Sequence, residues 1–232
     1  MYKIRGVLFD KDGTLFDFNA TWGNWTQRLI ENETAGDAAR RDELARILGY
    51  DLDAGAFLPG SIVIAETVAT LARHVLPFSA DSDLDALINR MSLLSETAPQ
   101  VEATPLRPFA SELKSMGLKV GLATNDSESA ARAHLAKAGV LDDFDFVAGY
   151  DSGHGAKPAP GPLLAFGQSV GLDPKDCAMI GDSLHDIHAG KAAGFTTVGV
   201  LTGPARREVL EPHADVVLNS IAELPAWIAG QP

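Results

Sequence analysis

Gly6-Val7-Leu8-Phe9-Asp10-Lys11-Asp12-Gly13-Thr14 is a run of four apolar residues that stops abruptly at two carboxylates and a glycine. An unbroken apolar run of this length suits a strand covered on both faces, as in a parallel sheet, where the polar–apolar alternation of a half-exposed strand is lost. Carboxylates at the C-terminal end of such a strand point into the crevice where open α/β sheets bind ligands. Asp10, ionised at neutral pH, is able to attack phosphorus. Asp12 with a raised pKa is able to protonate a leaving alkoxide. Gly13 suits a sharp departure from the strand. By themselves these residues describe a solvated turn equally well.

Outward from this stretch the chain repeats the same strand signal. Apolar runs at Leu118–Ala123, Phe144–Val147, Ala178–Ile180, Thr197–Leu201 and Asp215–Leu218 predict further buried parallel strands. Helical patterns lie between them. Ser127–Ala138 follows Asn125-Asp126, a candidate cap, and stops at Gly139; Gly161–Val170 and Asp186–Ala193 stop at Gly171 and Gly194. Strand alternating with helix predicts a Rossmann-like, doubly wound parallel α/β sheet. One segment breaks the alternation. Trp22, Trp25 and Leu29, then Leu44, Ile47 and Leu48, then Ser61–Val75 with Ile62, Ala65, Val68, Leu71, Ala72 and Val75, then Ser82–Leu94 all carry helical stripes, with no convincing strand among them. The expected organisation is a core of residues 1–17 and 98–232 with an inserted all-helical domain at 18–97. Pro99–Pro108 is expected to lead the chain back to the core.

Bulk properties narrow the function classes. With 19 Lys and Arg against 31 Asp and Glu, the 232-residue chain has a formal net charge of −12, which repels nucleic acid and anionic membrane. Hydrophobic residues make up 46% and mean hydropathy is +0.03, both ordinary for a globular chain. The single cysteine, Cys177, forbids an internal disulfide and suits a reducing compartment. The apolar run Gly6–Phe9 is too short for a secretory leader, and no stretch approaches the length of a transmembrane helix. A cytoplasmic protein is expected.

Three more polar groups sit at the ends of other predicted strands. Thr124-Asn125 offers a hydroxyl and backbone N–H groups before a helix, which is an anion site or a plain cap. Lys157, followed by Pro158, places an ammonium in a loop, where it neutralises phosphate or simply faces solvent. In Gly181-Asp182-Ser183-Leu184-His185-Asp186, Asp182 and Asp186 supply hard oxygen ligands that suit Mg²⁺, or cap a helix. Each alone is weak. Their joint placement, every one at the C-terminal end of a different predicted strand, is not a plausible coincidence.

This set, DxDGT, Thr, Lys and GDxxxD, resembles the phosphatases of the haloacid dehalogenase superfamily over Ile4 to Phe16 and about Thr104 to Leu218. The wording around Phe9–Leu15, Gly149-Tyr150-Asp151 and Gly181-Asp182-Ser183 looks most like phosphoglycolate-phosphatase-type members. The resemblance implies a Mg²⁺-dependent phosphatase acting on a small phosphorylated metabolite through an aspartyl-phosphate. It implies Asp10 as nucleophile and metal ligand, and Asp12 as general acid then base, with its carbonyl on the metal. Thr124 and the Asn125 backbone would bind the phosphoryl group, Lys157 would screen and stabilise it, Asp182 would complete the metal ligands, and Asp186 would support the metal shell or orient Lys157. The insertion matches that superfamily's cap, expected to close over the substrate.

Rival readings differ at named residues. A dehalogenase has no need of Asp12, because halide leaves unprotonated. A phosphonate hydrolase of this superfamily needs a cap lysine, and residues 18–97 contain none. A sugar-phosphate mutase shares every core residue. A non-catalytic phospholigand-binding protein is expected to have lost Asp10 or Asp12. Oligomeric state is not legible.

Overall fold

The computed structural model describes residues 3–58, 60–64, 66–80 and 82–230. In chain order its elements are β1 (Gly6–Phe9), α1 (Phe18–Thr34), α2 (Ala38–Leu48), β2 (Tyr50–Asp51), β3 (Ala56–Phe57), α3 (Val68–Val75), α4 (Leu84–Glu96), α5 (Leu106–Ser115), β4 (Lys119–Ala123), α6 (Glu128–Ala138), β5 (Phe146–Ala148), α7 (Gly161–Val170), β6 (Cys177–Gly181), α8 (Leu184–Ala193), β7 (Thr196–Val200), α9 (Arg207–Leu210), β8 (Val216–Leu218) and α10 (Leu224–Ala229), with short 3-10 turns interspersed. They fall into two compact units, one from the described residues of Met1–Phe18 and Val101–Pro232, the other Asn19–Gln100.

The first unit is a six-stranded sheet in the order β5-β4-β1-β6-β7-β8, with every pairing parallel. This is the doubly wound α/β fold expected, and each of the six apolar runs became a strand with ends displaced by at most two residues. The reason those runs do not alternate is visible in the core. Val7, Phe9, Val120, Leu122, Ala178 and Ile180 pack with residues of α5, α6 and α10 in one buried cluster. Leu8, Ala123, Cys177 and Met179 pack with residues of α7 and α8 in another. Successive side chains thus enter opposite, equally dry layers. From β1 the chain runs outward through β4 and β5, then returns to β6 on the other side of β1 and continues outward. That reversal makes the C-terminal end of β1 the topological switch point.

The stretch expected to lead back to the core, Pro99–Pro108, runs into α5, whose first three residues are its last three. Leu106, Phe109, Ala110 and Leu113 are its buried face, at helical spacing. Pro108 is its third residue, where an N–H has no intrahelical partner, so proline is tolerated.

The second unit corrects two expectations. It is not all-helical: β2 and β3 form an antiparallel hairpin, pairing Tyr50 with Phe57 and Asp51 with Ala56. α2 stops at Gly49 in the left-handed region, φ 69°, and Asp51 Oδ1 accepts the N–H groups of Asp53 and Ala54 to turn the chain. The Tyr50 and Phe57 rings meet edge to face at 5.1 Å. The helix expected over Ser61–Val75 is a 3-10 turn at Ile62–Ile64 followed by α3, which begins only after Thr67, whose side chain accepts from Thr70 N; Ala65 lies outside the described residues. Trp25 is buried, its Nε1 donating to Met91 O and its ring edge-on to Trp22. These tryptophans hold the unit's own core. No helix among the described residues is long and apolar enough to cross a membrane.

Candidate active site

Parallel register sets the site. Phe9 aligns with Leu122 on β4 and with Ile180 on β6, so Asp10, Thr124 and Asp182 leave three neighbouring strands at the same edge. Asp10 N still bonds Ile180 O at 2.8 Å, after which the chain turns sharply. Leu15 N and Phe16 N both bond Lys11 O, and Gly13 takes φ 83°. Gly13 matters for a second reason. A Cβ there would lie 2.5 Å from Asp182 Oδ2, so any side chain would displace that carboxylate. Gly13→Ala is expected to destabilise the fold by about 1–2 kcal/mol through its left-handed backbone alone. It should also weaken divalent-cation binding, which thermal melting with and without the cation would register.

Lys157 arrives from the loop after β5 and is nearly buried. Its Nζ lies 2.6 Å from Asp10 Oδ1 and 2.6 Å from Asp186 Oδ1. Asn125, expected to act through its backbone, also clamps this loop: its Oδ1 accepts from Lys157 N and its Nδ2 donates to Lys157 O, both at 2.9 Å. Asp186 Oδ2 accepts from Ser183 N and Oγ in the capping box that starts α8. Both Asp186 oxygens are thereby engaged by protein, which fits orientation of Lys157. Thr124 Oγ1 accepts the Asp126 N–H at 3.1 Å, and the hydroxyl keeps its own proton for donation. α6 is capped by Ser127, not by the Asn125-Asp126 pair expected to do so.

The charge balance is uneven. Asp10, Asp182 and Asp186 each bring a carboxylate oxygen within 4.8 Å of the others'. Burial pushes the Asp10 carboxyl up to about 7 against the opposing pull of Lys157, and the Asp186 and Asp12 charges push the same way. Burial, then the charges of Asp10 and Asp186, push Asp182 well above the usual carboxylate range. Burial would lower Lys157, but Asp10 and Asp186 more than offset it, so its ammonium is held charged. One lysine thus faces several crowded carboxylates. Hard oxygen donors with excess negative charge fit a small divalent cation.

The structure brings together Asp10, Thr124, Lys157, Asp182 and Asp186, with Asp12 two residues beyond Asp10 and Asn125 bracing the lysine's loop. Sequence reading passed over Lys11, Asp126 as anything but a cap, and His134. Lys11 Nζ contacts Asp126 Oδ2 at 2.7 Å, Asp12 Oδ2 at 3.0 Å and His134 Nδ1 at 3.0 Å, with no exposure to solvent. The available signal was a lysine lodged between two site carboxylates, directly after a wholly buried strand.

An aspartate at a switch point, a lysine on it and acidic groups on the adjoining strand define a class of protein, and comparison with known proteins agrees. Residues 4–194 match the haloacid dehalogenase-like hydrolase family, and the chain belongs to it. It is similar to a phosphoglycolate phosphatase of Chromobacterium violaceum, 38% identical over 225 residues covering 95% of each chain. It is also similar to one of Rhodospirillum rubrum, 31% identical over 237 residues, covering 97% of this chain and 90% of that one. The fold matches the crystal structure of a predicted phosphoglycolate phosphatase from Haemophilus somnus with TM-score 0.74 at 17% identity, covering 98% of this chain and 99% of that one. The chain is a phosphoric monoester hydrolase of this family.

Proposed function

We propose that this chain is a Mg²⁺-dependent phosphatase that hydrolyses a small phosphorylated metabolite, of the phosphoglycolate kind, through an aspartyl-phosphate on Asp10. The observation that carries the reading is the Lys157 ammonium 2.6 Å from the Asp10 carboxylate, at the switch point of a parallel sheet and beside two further buried carboxylates. The particular ester is inferred from the similarity to phosphoglycolate phosphatases. Residues 18–97 are taken as the domain that selects it.

In this reading Asp10 attacks phosphorus while the ester oxygen leaves with the proton of Asp12, forming the acyl phosphate. Thr124 and the backbone at Asn125 donate to the phosphoryl oxygens, and Lys157 offsets their charge as it is redistributed. Asp12, now ionised, takes a proton from water as that water attacks the same phosphorus. Inorganic phosphate leaves and Asp10 is regenerated. Asp10, the Asp12 carbonyl and Asp182 would hold Mg²⁺, which supplies charge neutralisation when bound. Ca²⁺ in its place is expected to inhibit, because it tolerates looser and higher coordination; full turnover in Ca²⁺ would contradict the proposed in-line geometry.

The test is phosphate release from a panel of small phosphoesters, with and without Mg²⁺. Metal-dependent release supports the reading, and the preferred ester names the substrate class. Transfer to a sugar phosphate without release would indicate a mutase, and inertness toward all esters a binding protein.

A further inference from the structure

We propose that Lys11 is a positioning residue for the acid–base step: its buried ammonium fixes the Asp12 carboxylate and ties it to the loop that carries Thr124. This inference rests on the phosphatase reading.

A lysine ammonium has three protons to donate and nothing with which to accept. Those of Lys11 point at Asp126 Oδ2, Asp12 Oδ2 and His134 Nδ1. His134 Nδ1 therefore accepts, and the imidazole carries its proton on Nε2. The ring is itself buried within α6, with Phe16 edge-on to it at 6.3 Å. Asp126 extends the connection. Its Oδ1 accepts from Ser127 N, its carbonyl from Tyr150 N, and its own N–H donates to Thr124 Oγ1. A continuous path thus runs Asp12–Lys11–Asp126–Thr124, linking the group that exchanges protons with the hydroxyl that faces the phosphoryl oxygens.

A buried cation needs anionic partners merely to be tolerated, and an apolar residue would fill the same space at no such cost. A fold requirement alone does not explain a lysine here. Its contact with Asp12 does: Lys11 holds Oδ2 at 3.0 Å, which sets the orientation of the carboxyl group that exchanges the proton. Rate falls steeply when a reacting group is misplaced by an ångström.

The test separates acid catalysis from general damage. Lys11→Met keeps length and burial. An alkyl phosphate needs Asp12 to protonate its leaving oxygen, whereas 4-nitrophenyl phosphate does not. Both are compared by kcat/KM in the Mg²⁺-loaded enzyme, since that quantity reports phosphorylation of Asp10 rather than the shared second step. We expect Lys11→Met to lower kcat/KM for the alkyl ester roughly a hundredfold, and for the aryl ester by about tenfold less than that. An unmoved ratio between the two esters, whether or not both fall, would overturn the inference and leave Lys11 a fold residue. Should Lys11→Met not fold, Lys11→Met with Asp126→Asn removes cation and anion together, and the same ratio decides. Wild-type protein inert toward both esters overturns the phosphatase reading and this inference with it. Normal wild-type turnover with an unmoved ratio in the variant overturns this inference alone.

Discussion

Asp10→Asn is expected to leave on the order of a thousandth or less of wild-type turnover. An amide nitrogen or oxygen at this position is a poor nucleophile, and no other carboxylate takes its place. Asp182 leaves the neighbouring strand, and Asp186 is committed to Lys157 and Ser183. The substitution is nearly isosteric, so circular dichroism should show an intact fold while phosphate release is lost. A variant retaining near-normal rate would sink the covalent mechanism, whatever the substrate.

Lys157→Ala is expected to lower turnover about a hundredfold per folded molecule, the loss typical of one charge stabiliser. It also removes the cation shared by Asp10 and Asp186 at 2.6 Å each, inside a site with little access to water. Breaking a buried pair on one side is destabilising by about 3–5 kcal/mol. Activity must therefore be referred to the folded fraction at each temperature. A variant that melts early yet turns over normally while folded would make Lys157 a support for the loop rather than a participant in the reaction.

The core was legible because its physics is repetitive. Strands dry on both faces write themselves as unbroken apolar runs, and β1, β4 and β6 each end where the first polar residue of the site begins. The candidate site residues were read from that edge. What escaped lacks either a period or a direction. β2 and β3 are two residues each, too short for alternation to register, and their turn rests on one aspartate oxygen. α5 hid behind Pro105 and Pro108, which look like breakers until the helix is seen to begin at Leu106. Lys11 and Asp126 lie 115 positions apart, and only strand pairing reveals that they meet. Asn125 was read as a cap and as a backbone contact to phosphate, and its side chain also clamps Lys157, 32 positions on.

The place of β1 in the sheet bears on how the chain is made. It precedes the other five strands of its sheet in the chain and is a central one, paired with β4 on one side and β6 on the other. Gly6 waits for Cys177, 171 positions later (177 − 6), before that second edge is covered. At typical rates of translation the wait is roughly 9 to 34 s. Throughout it a naked apolar strand edge is available to other chains, and chains released before β6 keep that edge exposed. Fragments truncated ahead of residue 177 should therefore aggregate rather than persist as partial domains, and the carboxylate cluster is incomplete until Asp182 and Asp186 have followed β6.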